Sequence, residues 1–189
     1  MLSTLALAAL MQTANPTVAT PQAIPPLEET VTRIERNDAA LFWAFFEGCD
    51  PAKVEPLLHH DFRMLHDQAG MPSDSAQAMV DQSREQCASR QPGARNEGYA
   101  NRRLIVPGSR RVQMLGTWGA LEEGHHTFHE LRQRPPGAYG PDDLGGPTWV
   151  MVGGARYIHT WQWMPQEGRY RLLESLSVDH APSPSYPPR

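Results

Sequence analysis

Histidine is the side chain best suited to exchanging protons near neutral pH, and this chain carries eight. Two stand where apolar walls could tune them. His66 ends an alternating run, HDFRMLHD, in which Phe62, Met64 and His66 share one face and Arg63, Leu65 and Asp67 the other. If the first face is covered, desolvation holds His66 neutral and makes it a usable base; a core-edge imidazole bonded to a backbone carbonyl is the alternative. His159 lies in YIHTWQW, where Tyr157, His159, Trp161 and Trp163 share a face. An imidazole among large rings suits a ligand pocket, and equally a packed aromatic core or a dimer interface. Asp179 and His180 close the last strand-like run. Neighbours on a strand face opposite ways, so Asp179 would orient His66, His126 or His159; solvated strand-end residues are the other reading.

The segment GHHTFHE holds three more imidazoles. Read as a strand, it puts His126 and His129 on opposite faces, so a three-histidine metal site is not expected, while His126, Phe128 and Glu130 fall in phase. His59 and His60 read as the end of a short helix, in favourable contact with its dipole. No nucleophile elbow of the G-x-S-x-G kind is present, no serine stands in a recognisable triad context, and no glycine-rich phosphate loop appears. Neither a metal nor a nucleotide cofactor is expected.

Helices and strands must hold these groups in place. Leu27 to Gly48 carries an apolar stripe (Leu27, Val31, Ile34, Leu41, Phe45, widened by Phe42 and Phe46) and acidic residues in its first turn, which predicts an amphipathic helix. Asp50-Pro51 starts a short second helix and Ser73 to Ser75 cap a third, about Ala76 to Arg90. The run from His60 to Asp67 reads as a strand broken by Gly70 and Pro72. Further strands are predicted at Tyr99–Val106, at Arg111–Leu121 with a turn at Glu122–Gly124, and at His125–Arg132. After a Gly/Pro loop, Trp149–Met164 reads as one strand or as two meeting at Gly153-Gly154, and Arg169–Val178 closes the set. Three helices with one strand among them, followed by a run of antiparallel strands, is an α+β plan.

Composition narrows the partners. The chain has 189 residues and net charge −4, with no basic run or stripe, so nucleic acid is not an expected partner. Residues 1–14, MLSTLALAALMQTA, are apolar and uncharged, too short to span a bilayer, and read as the core of a secretory signal without its basic start; a disordered or packed N-terminus is the alternative. A Pro-rich linker follows to residue 26, then a single domain over 27–180 and a tail over 181–189. The expected location is exported or periplasmic. There Cys49 and Cys87 could pair, closing a loop of about 38 residues for roughly 3–4 kcal/mol, or remain buried thiols.

Four segments, DAALFWAFFEGCDPAKVEPLL, HDFRMLHDQAG, LGTWGALEEGHHTFHE and ARYIHTWQWMPQEGRYRLLESLSVDH, resemble the nuclear-transport-factor-two-like superfamily, the fold shared with ketosteroid isomerase and SnoaL-like polyketide cyclases. The resemblance runs from about Leu27 to His180. It implies a cone-shaped curved antiparallel sheet wrapped around three N-terminal helices, a pocket between them, and homodimers packed through the sheet. It also implies isomerase, dehydratase, cyclase or epoxide hydrolase activity in some members and none known in many. The isomerases' base carboxylate, with its tyrosine and second acid, has no residue-by-residue match; Asp61, Asp67 and Asp179 fit by type alone. The expectation is a binding protein for a small apolar or amphipathic molecule, without membrane attachment, its pocket drawn from Trp43, Phe62, His126, Phe128, Tyr157 and Trp161. Any catalysis would be cofactor-free proton transfer, isomerisation or dehydration, with His66 or His159 as base or acid, Tyr157 or His126 as polar stabiliser, and Asp179 orienting. The alternative is a non-catalytic binding or dimerisation module with a filled core.

Overall fold

The computed structural model describes residues 20–182; the signal-like run of residues 1–14 and the last seven residues lie outside them. Helix α1 (Leu27–Phe45) buries Ile34, Leu41, Ala44 and Phe45 on one stripe. Asp38 sits in the same stripe, only 1% exposed. The chain then turns through Gly48, whose missing Cβ leaves room for the Trp43 indole: a Cβ there would lie 2.4 Å from the ring. Helix α2 (Pro51–Val54), a 3₁₀ turn (Glu55–Leu57) and helix α3 (Ala76–Ser89) complete the helical layer. Ser75 caps α3, its Oγ accepting from the Ala78 N–H at 3.1 Å, a bond worth ~1 kcal/mol. Cys49 and Cys87 are joined as a disulfide, tying the end of α1 to α3 with Cα atoms 5.4 Å apart. No helix among the described residues is long and apolar enough to cross a membrane.

Seven strands form one curved, unclosed sheet: β1 (Leu58–His66), β2 (Gly70–Ser73), β3 (Asn101–Ile105), β4 (Arg111–Leu115), β5 (Gly119–Arg134), β6 (Gly146–Met164) and β7 (Arg169–Ala181). Their order is β2-β1-β7-β6-β5-β3, with β4 also on β5. Pairing is antiparallel except between β1 and β7, which run parallel. That pair places the N-terminal strand beside the last one and has no local sequence signal. The helices pack on the sheet through Leu41, Phe45, Phe62, Met79, Trp161 and Leu172.

Several local expectations change. The turn placed at Glu122–Gly124 falls earlier, at Gly116 (φ 59°), because glycine accepts the left-handed conformation there; residues 119–134 then run as one strand. Gly70 and Pro72 do not end the pairing: the chain folds back as the short edge strand β2, where a proline is tolerated. His59 and His60 belong to β1 and not to a helix end. The segment Gly146–Met164 is a single strand with a bulge beside Gly153, since Phe128 pairs with Gly153 and His129 with Met151.

A second bulge shapes the site. Arg156 pairs with Val178 and Gly154 with Ala181, so Asp179 and His180 stand where β6 supplies only Ala155. Asp179 takes a left-handed φ of 60°, accommodating the extra residue. In a regular strand Ser177 and His180 would face opposite ways. Here their side chains meet, with Oγ 3.2 Å from Nε2.

Candidate functional site

A cavity of about 280 Å³ lies between the helices and the sheet. Phe42, Phe46, Phe62, Met64, Met79 and Phe128 give it apolar walls, and His66, Gln82, His126, His159, Ser175 and Ser177 add polar groups. Ala69 and Pro72, both exposed, line its outer end, so the mouth lies at the β1–β2 turn.

Behind the sheet-side wall is a largely buried ionic network. Arg103 Nη1 donates to both oxygens of Asp38, at 3.0 and 2.8 Å, and Arg110 Nη2 donates to Asp38 Oδ2 at 2.8 Å. Arg110 Nε also pairs with Glu122 Oε1 at 2.9 Å. Tyr157 and Trp161 donate to the two Glu122 oxygens at 3.2 and 2.8 Å. Two carboxylates thus balance two guanidiniums. The Arg103 guanidinium is sandwiched between Phe42 and Tyr157, 3.6 and 4.6 Å from the ring centroids. Burial alone would raise the Glu122 carboxyl; the His159 ring, the Arg110 charge and the Trp161 N–H outweigh it and hold Glu122 below its ordinary value. Burial and the Glu122 charge push the Tyr157 phenol well up, so it stays a donor.

His159 borders both this network and the cavity. Its Nδ1 lies 3.5 Å from Asp38 and 3.4 Å from Glu122 and makes no hydrogen bond. Its ring stacks on Phe42 with centroids 5.6 Å apart. His126 is different. Its Nδ1 accepts from Arg103 Nε at 2.7 Å, which puts its proton on Nε2. Burial, then the Arg103 charge, drives its pKa well below the ordinary imidazole value. His126 is therefore a neutral donor toward the cavity and toward Ser177 Oγ, 3.4 Å from its Nε2.

From Ser177 a second chain of contacts runs to the mouth. Ser177 Oγ lies 3.2 Å from His180 Nε2, and His180 Nδ1 lies 2.6 Å from Asp67 Oδ1. The backbone N–H of His180 donates to the other Asp67 oxygen at 3.1 Å. Desolvation works against the charge on Asp67, but these two donors prevail and hold its carboxyl below the usual range. An ionised carboxylate only accepts, so His180 carries its proton on Nδ1 and, when neutral, offers a lone pair on Nε2 to Ser177. His66 stacks on His180 with centroids 4.0 Å apart. Its Nδ1 accepts the Gln68 N–H at 3.1 Å, and burial followed by the His180 charge lowers its pKa.

The structure sorts the residues expected from the sequence. His66, Phe62, His126, Phe128 and His159 line the cavity. Tyr157 and Trp161 stand behind it, bonded to Glu122. Trp43 is 48% exposed and lies under Lys53, outside the cavity. Asp179 does not orient an imidazole. The bulge turns it out to solvent, where it pairs with Arg156 at 3.0 Å, and Asp67 supplies the carboxylate instead, to His180. Glu130 lies beyond the cavity, bonded to Tyr99 and Arg132. Asp38, Arg103, Arg110, Glu122 and Ser177 join the site beyond the residues the sequence points to. Asp38 had left a signal, a carboxylate on an apolar helical stripe. Glu122 falls in phase with His126 because residues 119–134 form one strand.

Three clusters among the described residues bring three metal-ligating atoms within 4.8 Å: His59, His60 and Asp61; His66, Asp67 and His180; Asp38, Glu122 and His159. In the second, both imidazole Nδ1 atoms are already engaged in hydrogen bonds. In the third, the two carboxylates are already neutralised by Arg103 and Arg110.

No family model matches the chain, and no curated protein matches it. Solved structures do. A nuclear transport factor 2-like superfamily protein from Salmonella enterica serovar Typhimurium superimposes with a TM-score of 0.58 at 11% identity, covering 87% of this chain and 100% of its own. A cystatin-like-fold protein of unknown function from Nostoc punctiforme gives 0.53 at 14% identity, over 81% of this chain and 92% of its own. A protein of nuclear-transport-factor-two-like type with a cystatin-like fold from Novosphingobium aromaticivorans gives 0.52 at 16%, over 81% and 84%. At such identities the likeness is one of fold, and it agrees with the helices-on-curved-sheet plan: this chain has the cystatin-like fold of the nuclear-transport-factor-two-like proteins.

Proposed function

We propose that the chain binds a small, mostly apolar molecule bearing a carbonyl or hydroxyl group in the cavity between helices and sheet. The observation that carries this reading is the cavity itself, about 280 Å³ with apolar walls and polar groups converging from β5, β6 and β7. That volume lies just below the roughly 300–1,000 Å³ typical of ligand sites, so the ligand must be small. The neutral His126 Nε2–H is suited to a carbonyl oxygen. Cofactor-free proton transfer, if the ligand is a substrate, falls to His159, whose Nδ1 faces two carboxylates while its ring borders the cavity. The Cys49–Cys87 bond supports export, because disulfides persist in oxidising compartments.

Ligand-observed NMR with 1-indanone, 1-naphthol and 4-phenyl-2-butanone tests the reading. Saturable binding is expected to at least one, and Ser175→Phe, which fills the cavity, should abolish it while leaving the fold intact by circular dichroism. Binding that survives Ser175→Phe, or none to any probe, would return the chain to a filled, non-catalytic module.

A further inference from the structure

We propose that Ser177, His180 and Asp67 form a nucleophilic array that cleaves small carboxylic esters bound in the cavity. The proposal rests on the binding reading above and adds a reaction to it. Three bonds place the groups in working order. Asp67 holds His180 through both its Nδ1 (2.6 Å) and its backbone N–H (3.1 Å), which sets the ring's tautomer and orientation. His180 Nε2 then faces Ser177 Oγ at 3.2 Å. This is the carboxylate–imidazole–hydroxyl order in which a serine becomes a nucleophile, recognised by geometry and not by position in the chain. Ser177 borders the cavity, while His180 lines a neighbouring hollow with Gln68, Phe128 and Ala181. The fourth part is His126. Because Arg103 occupies its Nδ1, its Nε2 is a fixed donor 3.4 Å from Ser177 Oγ. A carbonyl oxygen developing negative charge beside Ser177 finds that donor in place, and no water has to reorganise to supply it.

The bulge in β7 supports the assignment. Aspartate is among the few side chains that enter the left-handed region readily, so the bulge can re-aim the next residue at little strain. Here the residue is Asp179, and the conformation brings His180 round to Ser177. The reaction balances without a co-reactant other than water. Ser177 Oγ forms a bond to the ester carbonyl carbon as its proton passes to His180 Nε2. The tetrahedral adduct then expels the alcohol, whose oxygen takes that proton as the carbon–oxygen bond breaks. Water, deprotonated by His180, attacks the acyl-serine, releasing the carboxylic acid and restoring the hydroxyl. Apolar walls favour an ester with a short aliphatic or monocyclic aromatic group on each side.

Benzyl acetate hydrolysis by the full chain, read by benzyl alcohol release, tests the proposal, and 4-phenyl-2-butanone, its non-hydrolysable ketone counterpart, reports binding separately. Turnover is expected, with kcat reduced about a hundredfold or more in Ser177→Ala, His180→Gln and Asp67→Asn. Ketone affinity should stay within about twofold in His180→Gln and Asp67→Asn, whose side chains do not line the cavity, a margin well below the ~1.4 kcal/mol that a tenfold change represents. Diisopropyl fluorophosphate should add one phosphoryl group to the wild-type protein, mapped to Ser177 by peptide mass spectrometry, an experiment that needs no variant to fold. Ketone binding without ester turnover overturns the array and leaves the binding reading standing; absence of both overturns both. Label on another residue, or turnover unchanged in Ser177→Ala, overturns the array. So does activity lost to EDTA and restored by zinc, which would make His66, Asp67 and His180 metal ligands.

Discussion

Two polar regions meet at the inner face of this sheet, and they are built on opposite principles. The Asp38–Arg103–Arg110–Glu122 network is ionic and mostly buried, with side chains of Asp38, Arg103 and Glu122 no more than 2% exposed and Arg110, at 19%, reaching the surface beside Glu35. The Ser177–His180–Asp67 array is directional and partly open, its imidazole 14% and its carboxylate 31% exposed. In the first, every charge exists because another compensates it. In the second, one hydrogen-bond direction is imposed along a row of groups, and little charge is buried. Buried ion pairs give modest net stability, yet removing one partner is costly, since the other is stranded. A hydrogen-bonded array at a cavity mouth can lose a member to water at small cost. Stability is therefore concentrated in the network and chemistry in the array, with His126 joining them through Arg103 on one nitrogen and Ser177 on the other.

The sharpest way to break this contrast is Asp38→Asn. It strands Arg103, which has no other carboxylate partner among the described residues, while Arg110 keeps Glu122, and should destabilise the fold by about 3–5 kcal/mol, the cost of orphaning a buried charge. In a domain of this size that lowers the melting temperature by roughly 10 °C. A drop of only a degree or two by differential scanning fluorimetry would show that the network is not tightly desolvated.

A medium effect lies at the junction. Unfolded His126 takes up a proton below about pH 6.5, while the folded residue stays neutral to well below that. The unfolded state thus binds more protons in that interval. Stability is full above about pH 6.5 and declines as the pH falls below it. His59, His66 and His129, all shifted downward, add to the same limb. Melting curves from pH 7.5 to 5 should show the decline, and His126→Gln should flatten it. An unaltered slope would remove His126 as the junction.

The smallest expected changes in stability separate two aspartates. Asp67→Asn should shift unfolding far less than Asp38→Asn, and Asp179→Asn least of all, the latter having only a surface pair to lose. Their effects on ester turnover should differ widely, with Asp67→Asn slow and Asp179→Asn near wild type. Equal turnover in both would restore Asp179 as a candidate orienting group.

What the chain declares locally survived into the structure. Helix α1, the capped start of α3 and the alternation of Tyr157, His159, Trp161 and Trp163 follow from periodicity, because which side a residue faces in a regular element depends on its near neighbours alone. The cavity face of β1, with Phe62, Met64 and His66, was legible for the same reason. Asp38 was visible as a charge on an apolar stripe, though its partners on β3, β4 and β5 were not.

The Ser177–His180–Asp67 array belongs wholly to the tertiary structure. Asp67 lies 113 residues from His180, and the two meet because β1 runs parallel to β7, a pairing that short-range pattern does not encode. Ser177 and His180 meet because a left-handed Asp179 breaks the alternation that had separated them. Sequence alone determined the helices, the long strands β6 and β7, and the inward faces of α1, β1 and β6 with the histidines presented there, since those depend on local backbone geometry. The partner of each histidine, and with it the tautomer and the chemistry, was decided by long-range pairing and one bulge.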